Sequence, residues 1–351
     1  MKVPYADREG ILAGGNWIVD RVKILDWYPD PERLADVQSE SLHFGGSPCN
    51  LLTDLALLKA PFPLTGVGLV GDDPDGDRIL AHCRKLGIDA GGIHRIKELP
   101  TASTDVMTEK DSGRRTFFHQ RGANSRLDIP HFDLETSNAR IFHLGYLMLL
   151  DRMDELLVDG RSRAFHLLKQ ARSMGYKTSV DLVGSEEKRF PKVVCSALPE
   201  VDILFLNEYE AERTTGIPLR LEPPDGRAFW KALQSLVEMG VKEWAVIHFP
   251  QGACALSADG KWVSQGSVRI PPGEIRGTVG AGDAFAAGVL YGLHEDFGMQ
   301  DALEMGLCAA TACLTGAGSS EGIMPMEDCR ILGETYGYCE FPAMSPKTKE
   351  E

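Results

Sequence analysis

The sequence predicts an α/β protein built on a doubly wound, mostly parallel sheet. Short apolar runs recur along the chain, longer segments of helical period separate them, and two polar, aromatic-rich stretches break the rhythm. Strands buried on both faces read as near-continuous apolar runs, and their alternation with helices is the pattern of parallel pairing with helices on both faces. At about 150 residues per domain, 351 residues allow two domains or one large domain with an appendage.

Taken in order, the strand candidates are residues 64–70, 140–144, 177–182, 203–206 and 244–248. The helix candidates are 50–59, 77–86, 153–173, 208–215, 228–239, 283–293 and 301–314. Segments 20–44 and 93–121 carry pieces such as 103–108 and 115–119 that read as strands with one wet face, enough for a small second sheet against the main one. The tail after Tyr338 is expected to be peripheral, and 345–351 frayed.

Composition removes several function classes. The formal charge of −14 argues against nucleic acid or an anionic membrane as the main partner, since both require concentrated Lys and Arg. A phosphate-bearing small ligand stays open, because clustered backbone N–H groups bind one without net positive charge. The eight cysteines show no C-x-x-C pair or zinc-like spacing and read as reduced thiols. The first ten residues lack the apolar stretch of a signal peptide, and no run approaches the about 18 apolar residues of a spanning helix. A cytoplasmic location is the expectation.

Gly66, Gly68 and Gly71 match G-x-G-x-x-G, but apolar residues continue through Val70 and the turn 72–76 delays the next helix. A dinucleotide site needs those glycines at the strand-to-helix turn; a glycine-rich strand followed by a capped helix is the better account. No P-loop or H-E-x-x-H motif occurs.

The most informative segment is Gly277-Thr278-Val279-Gly280-Ala281-Gly282-Asp283, which runs into an apolar helix. Gly280, Ala281 and Gly282 can aim unpaired N–H groups at an anion with the helix dipole assisting. Asp283 reads either as the helix N-cap or as a base beside that anion hole, the arrangement that transfers a phosphoryl group to a hydroxyl. The dipole is expected to favour its ionised form. Gly45-Gly46-Ser47-Pro48-Cys49-Asn50 is a second glycine turn opening a helix, either a plain N-terminus or a close approach of backbone to a polyhydroxylated ligand. Asn207 and Glu210 follow the strand at 203–206, as a helix cap or as groups orienting waters around Mg²⁺.

Together these segments resemble the PfkB/ribokinase family of carbohydrate kinases over residues 12–325. Gly45–Asn50 is similar to that family's GG-x-x-x-N signature, Asn207 and Glu210 to N-x-x-E, and Thr278–Asp283 to T-x-G-A-G-D. The resemblance implies a ribokinase-like three-layer α/β/α domain over 11–338, with a core of about 11–20, 45–92 and 122–338, a β lid of about 21–44 and 93–121, and a tail at 339–351. It implies ATP and Mg²⁺ as cofactors, a small sugar as partner, and a homodimer through the lid strands. Asp283 becomes the base and Gly280, Ala281 and Gly282 the anion hole. Asn16, Asp20 (closing the first strand), Gly45, Gly46 and Asn50 bind the sugar, and Asn207, Gly252 and Thr278 the nucleotide. Asn207 and Glu210 act on Mg²⁺.

The sequence departs from that pattern in three places. Gly277 stands where the family has an Asp linked to a monovalent-cation site, which puts that cation in doubt. Ile247-His248-Phe249-Pro250 replaces the usual T-x-G by the nucleotide. Asp181-Leu182-Val183-Gly184-Ser185 lacks the Arg of D-x-N-x-R, for which Arg121 or Lys188 would substitute. A sugar kinase is the leading expectation, with a nucleoside kinase of the same family, or a non-catalytic sugar-binding protein on the same fold, as rivals.

Overall fold

The computed structural model describes residues 7–222 and 224–341. The chain opens with β1 (Ile11–Gly15), crosses into β2 (Ile18–Leu25) and β3 (Val37–Gly45), and enters α1 (Ser47–Leu57). Next come β4 (Leu64–Gly71), α2 (Pro74–Lys85), β5 (Asp89–Ile96), β6 (Ala102–Glu109) and β7 (Arg115–Gln120). The second half runs β8 (Ile141–Leu147), α3 (Arg163–Ser173), β9 (Lys177–Leu182), α4 (Phe190–Ala197), β10 (Ile203–Asn207), α5 (Glu208–Thr215), α6 (Gly226–Glu238) and β11 (Trp244–Phe249). The hairpin β12 (Gly252–Ser257) and β13 (Trp262–Gly266) precedes α7 (Ala281–His294), α8 (Met299–Leu314) and α9 (Met326–Tyr336).

Among the described residues, nine strands form one sheet in the order β13-β12-β11-β10-β9-β8-β1-β4-β5. Pairing is parallel except in the β11–β12–β13 meander. Alternating side chains on β1 show the layering: Ile11 and Ala13 join a core with α1, α2, α7, α8 and α9, while Leu12 joins one with α3, α4, α5 and α6. The winding reverses between β1 and β8, so the carboxyl ends of these neighbouring strands diverge and leave a crevice, the usual ligand position in open α/β sheets. A second, four-stranded sheet, β3-β2-β6-β7, lies over that end.

Several expectations shift. The helix expected at 153–173 starts only at Arg163. Ser162 caps it at Phe165 N–H (3.2 Å), while upstream the buried Asp154 carboxylate receives N–H bonds from Met148 (3.0 Å) and Leu150 (2.9 Å) and holds that chain as a turn. The first strand ends at Gly15, so Asp20 sits in β2 of the small sheet. Likewise Ile93 belongs to β5 of the large sheet, and the second lid segment begins at Ala102. Residues 339–341 pack rather than trail: Cys339 N–H donates to Ser267 C=O at 2.8 Å and the Phe341 ring lies 5.6 Å from Phe249. The fraying expected at 345–351 lies outside the described residues. All eight cysteines are free, and no helix among the described residues is long and apolar enough to cross a membrane.

Gly66, Gly68 and Gly71 all lie in β4, followed by α2 capped by Asp73 at Gly76 N–H (2.8 Å). Gly68 has a packing reason: a Cβ there would overlap the indole of Trp17. Trp17 is fully buried and donates from Nε1 to Val67 C=O at 2.9 Å, which anchors the β1–β2 crossover over β4. Trp17→Ala should therefore cost about 3–5 kcal/mol in equilibrium urea unfolding; a loss below about 1 kcal/mol would show that the crossover does not depend on the indole.

Candidate active site

Helix α7 begins at the crevice. Gly280 is its N-cap, with φ +83°, and no side chain caps it. The left-handed backbone and a Ser319 carbonyl where a Cβ would sit both require glycine at 280. The helix is buried on nearly every side because small residues let α8 approach: a Cβ on Gly288 would come within 2.7 Å of Gly306 Cα. Asp283, in the first turn, is therefore not the N-cap. Its Oδ2 accepts from Asn50 Nδ2 at 2.8 Å, and the Tyr146 hydroxyl lies 2.8 Å from Oδ1 and 2.7 Å from Oδ2.

Burial, more than the dipole, sets the proton affinity of Asp283. Desolvation and then the neighbouring Asp181 raise its pKa to about 7 against the pull of Tyr146, Asn50 and His143. The expectation of a readily ionised carboxylate fails because the side chain is only 6% exposed. Asp181 is braced from behind: Ser47 Oγ donates to its Oδ2 at 2.7 Å and meets His143 Nε2 at 3.0 Å. Its Oδ1 is buried without a hydrogen-bond partner.

Two cavities meet at Asp283. One, about 270 Å³, is walled by Asp181, Asn207, Glu210, His248, Gly280 and Gly282. The other, about 550 Å³, lies under the small sheet and is walled by Asp20, His43, Gly46, Asn50, Thr104 and His119, among others. Tyr146, Val183, Gly280 and Asp283 line both. Strand register explains the lid wall. His43, Asp20, Thr104 and His119 stand opposite one another across four strands, and Ser41, Val22, Val106 and Phe117 form the next row. Burial raises the Asp20 pKa, opposed by the Thr104 hydroxyl and by His43.

Asn207 and Glu210 form a reciprocal capping box on α5: Asn207 Oδ1 accepts from Glu210 N–H at 2.8 Å, and Glu210 accepts from Asn207 N–H at 2.9 Å. Burial pushes Glu210 up to about 8 despite that bond, with Asp181, Glu208 and Asp283 adding to the rise. No three His, Cys, Asp or Glu side chains among the described residues converge closely enough to ligate a metal directly.

Of the residues proposed from sequence, Asp283, Gly280, Gly282, Asp20, Gly46, Asn50, Asn207 and Glu210 meet at these cavities. Gly45 stands beside them, its missing Cβ leaving room for the Asp20 carboxylate. Asn16 is fully buried and spent on backbone, accepting from Tyr146 N–H at 2.7 Å and donating to Leu149 C=O at 3.0 Å. Ala281 turns its N–H back toward Thr278 C=O at 3.5 Å. Thr278 and Gly252 line neither cavity, and Gly252 pairs with Gly266 within the β12–β13 hairpin. Arg121 pairs with Asp151 at 2.9 Å outside both. Tyr146, Asp181 and His248 escaped functional assignment, although each ends or follows a core strand, where site residues collect.

Fold and site together define a ribokinase-type α/β protein. The family model of the pfkB family carbohydrate kinases matches residues 14–326, and the chain belongs to that family. It is 25% identical over 328 residues to a 5-dehydro-2-deoxygluconokinase of Clostridium perfringens, covering 89% of this chain and 90% of the relative. It is 24% identical to the ketohexokinase of Mus musculus, over 91% of this chain and 100% of that one. Among solved structures, Arabidopsis thaliana ribokinase complexed with ribose and ATP superposes with a TM-score of 0.77 at 21% identity, covering 93% of this chain and 98% of the other, a likeness of fold.

Because Arg121 is committed to Asp151, Arg121→Ala should leave the acceptor KM within about twofold of wild type in a steady-state assay. A rise of about tenfold would return Arg121 to the acceptor site.

Proposed function

We propose that this carbohydrate kinase uses ATP to phosphorylate a hydroxyl of a small sugar or sugar derivative, with Asp283 as general base. The observation that carries the reading is the position of Asp283: one buried carboxylate exposed to both cavities at the start of a buried helix. The sugar occupies the lid cavity, its hydroxyls on Asp20 and the polar row. The nucleotide phosphates approach through the smaller cavity, where the N–H groups of Gly282 and Asp283, at the first turn of α7, have no intrahelical acceptor. A base with a pKa near neutrality suits proton transfer at neutral pH. In a loose transition state the sugar oxygen becomes acidic as it bonds to phosphorus, and Asp283 receives the proton then. Closure of the lid sheet over the sugar excludes water from the phosphoryl group.

The acidic wall suits a hydrated divalent cation: Asp181 adds to the raised proton affinity of Glu210, and Asp181 Oδ1 is unsatisfied. Asn207 and Glu210 would hold Mg²⁺ through its waters, since no direct ligand set exists among the described residues. Bound there, the ion supplies neutralisation of phosphate charge.

The apolar row Val22, Val106 and Phe117 beside the polar one favours a second reading, a nucleoside acceptor whose base lies on it. A coupled ADP-release screen over ketoses, aldoses, sugar acids, inositols and nucleosides separates the readings, and ADP release with none of them would overturn both.

Asp283→Asn should lower kcat by about 10²–10⁴ with MgATP binding retained. The wild-type carboxyl has a folded pKa of about 7 against an ordinary 3.8, so it stabilises the fold at low pH and loses that contribution as pH rises through about 7. The Asn variant should therefore melt at or above wild type at alkaline pH; a clearly lower Tm there would contradict the burial argument. In the acceptor site, Asp20→Ala should raise the sugar KM about tenfold or more, from loss of charge-assisted bonds, with little change for ATP. A selective loss of ATP affinity instead would mean the two cavities are assigned backwards.

A further inference from the structure

Tyr146 follows directly from neither motif nor composition, yet the structure devotes three buried side chains to it. Its hydroxyl bonds both oxygens of Asp283. Its own backbone N–H is held by Asn16, whose amide also holds Leu149 C=O. Asp154, fully buried, takes the N–H groups of Met148 and Leu150 in the same loop, including Met148 at φ +75°, a conformation uncommon outside glycine. Two side chains thus make four hydrogen bonds to the backbone of one short loop, and the side chain it presents to the cavities meets the carboxylate between them.

We propose that Tyr146 is a positioning residue of phosphoryl transfer: its phenol fixes the rotation of the Asp283 carboxylate, shares the donor role with Asn50, and keeps the base ionised in the working range. The inference rests on the reading of Asp283 as base. The phenol has one proton, shared between the two oxygens, and Asn50 adds one donor on Oδ2, so Oδ1 keeps the freer lone pair for an acceptor hydroxyl. The other groups around Asp283 cannot take over. Asp181 of β9, Glu210 of α5 and Asp54 of α1 are carboxyls whose charge opposes its ionisation. His143 of β8 is spent on Ser47 and Ser179. His248 of β11 is held neutral by burial, and Cys313 of α8 is a thiol with a raised pKa. Tyr146 cannot serve as the base, because burial and the Asp283 charge hold its phenol protonated.

The test is the pH dependence of kcat, measured on the full chain with whichever acceptor the screen identifies. Tyr146→Phe removes a hydrogen bond to the ionised form and should move the acid limb alkaline by about one unit. Site-specific 3-fluorotyrosine at the same position, a stronger donor of unchanged shape, should move it the other way. A purely structural role would lower the rate at every pH without moving the limb, and an unmoved limb in both proteins overturns the proposal. If the Phe variant does not fold, the fluorotyrosine protein decides alone: an acid shift supports the proposal and an unmoved limb overturns it. Failure of the base reading is distinguishable, because Asp283→Asn would then retain wild-type kcat while the Tyr146 proteins keep measurable profiles.

Discussion

A carboxylate buried at the first turn of a buried helix is costly to ionise, and much of this molecule follows from holding Asp283 there. Desolvation disfavours its charge, the Asp181 charge adds to that, and only Tyr146, Asn50 and His143 act the other way. Each donor needs its own support. Asn50 reaches Oδ2 because Gly46, with φ +91°, turns β3 into α1 where a Cβ would strike Asn16 C=O. Tyr146 reaches it because Asn16 and Asp154 fix the loop after β8. Helix α7 can start at that depth because Gly288 and Gly306 let α8 close against it.

Topology brings these parts together from distant sequence. The reversal of winding between β1 and β8 opens the crevice, and parallel strands end there on the same side with Tyr146, Asp181, Asn207 and His248. The small sheet supplies the opposite wall of the second cavity. Its register sets Asp20 between His43 and Thr104, so a polar row lines the cavity with an apolar row, Val22 and Val106, beside it. The two cavities share walls only at Tyr146, Val183, Gly280 and Asp283.

The sheet was legible in the sequence because buried parallel strands are continuous apolar runs; β9 and α5 match their expected limits. The motifs at Gly45–Asn50, Asn207–Glu210 and Gly280–Asp283 were legible because backbone turns demand particular residues locally. What was not legible depends on contacts between segments far apart. Asn16 looked like a sugar ligand, but Tyr146 and Leu149, 130 or more positions away, claim its amide. Arg121 is taken by Asp151, and Gly252 is explained by strand pairing. The proton affinity of Asp283 could not be read from a helix N-terminus alone, since local dipole and global burial act in opposite directions and burial is set by the whole fold.

That balance is open to direct measurement. Isotope-edited infrared difference spectroscopy of wild type against Asp283→Asn, titrated between about pH 4 and 9, reports the protonated carboxyl of this one side chain. The account predicts a carbonyl band present in acid and lost as pH rises through about 7. A carboxylate ionised throughout, with an ordinary midpoint near about 4, would contradict it and return control of the site to the helix dipole.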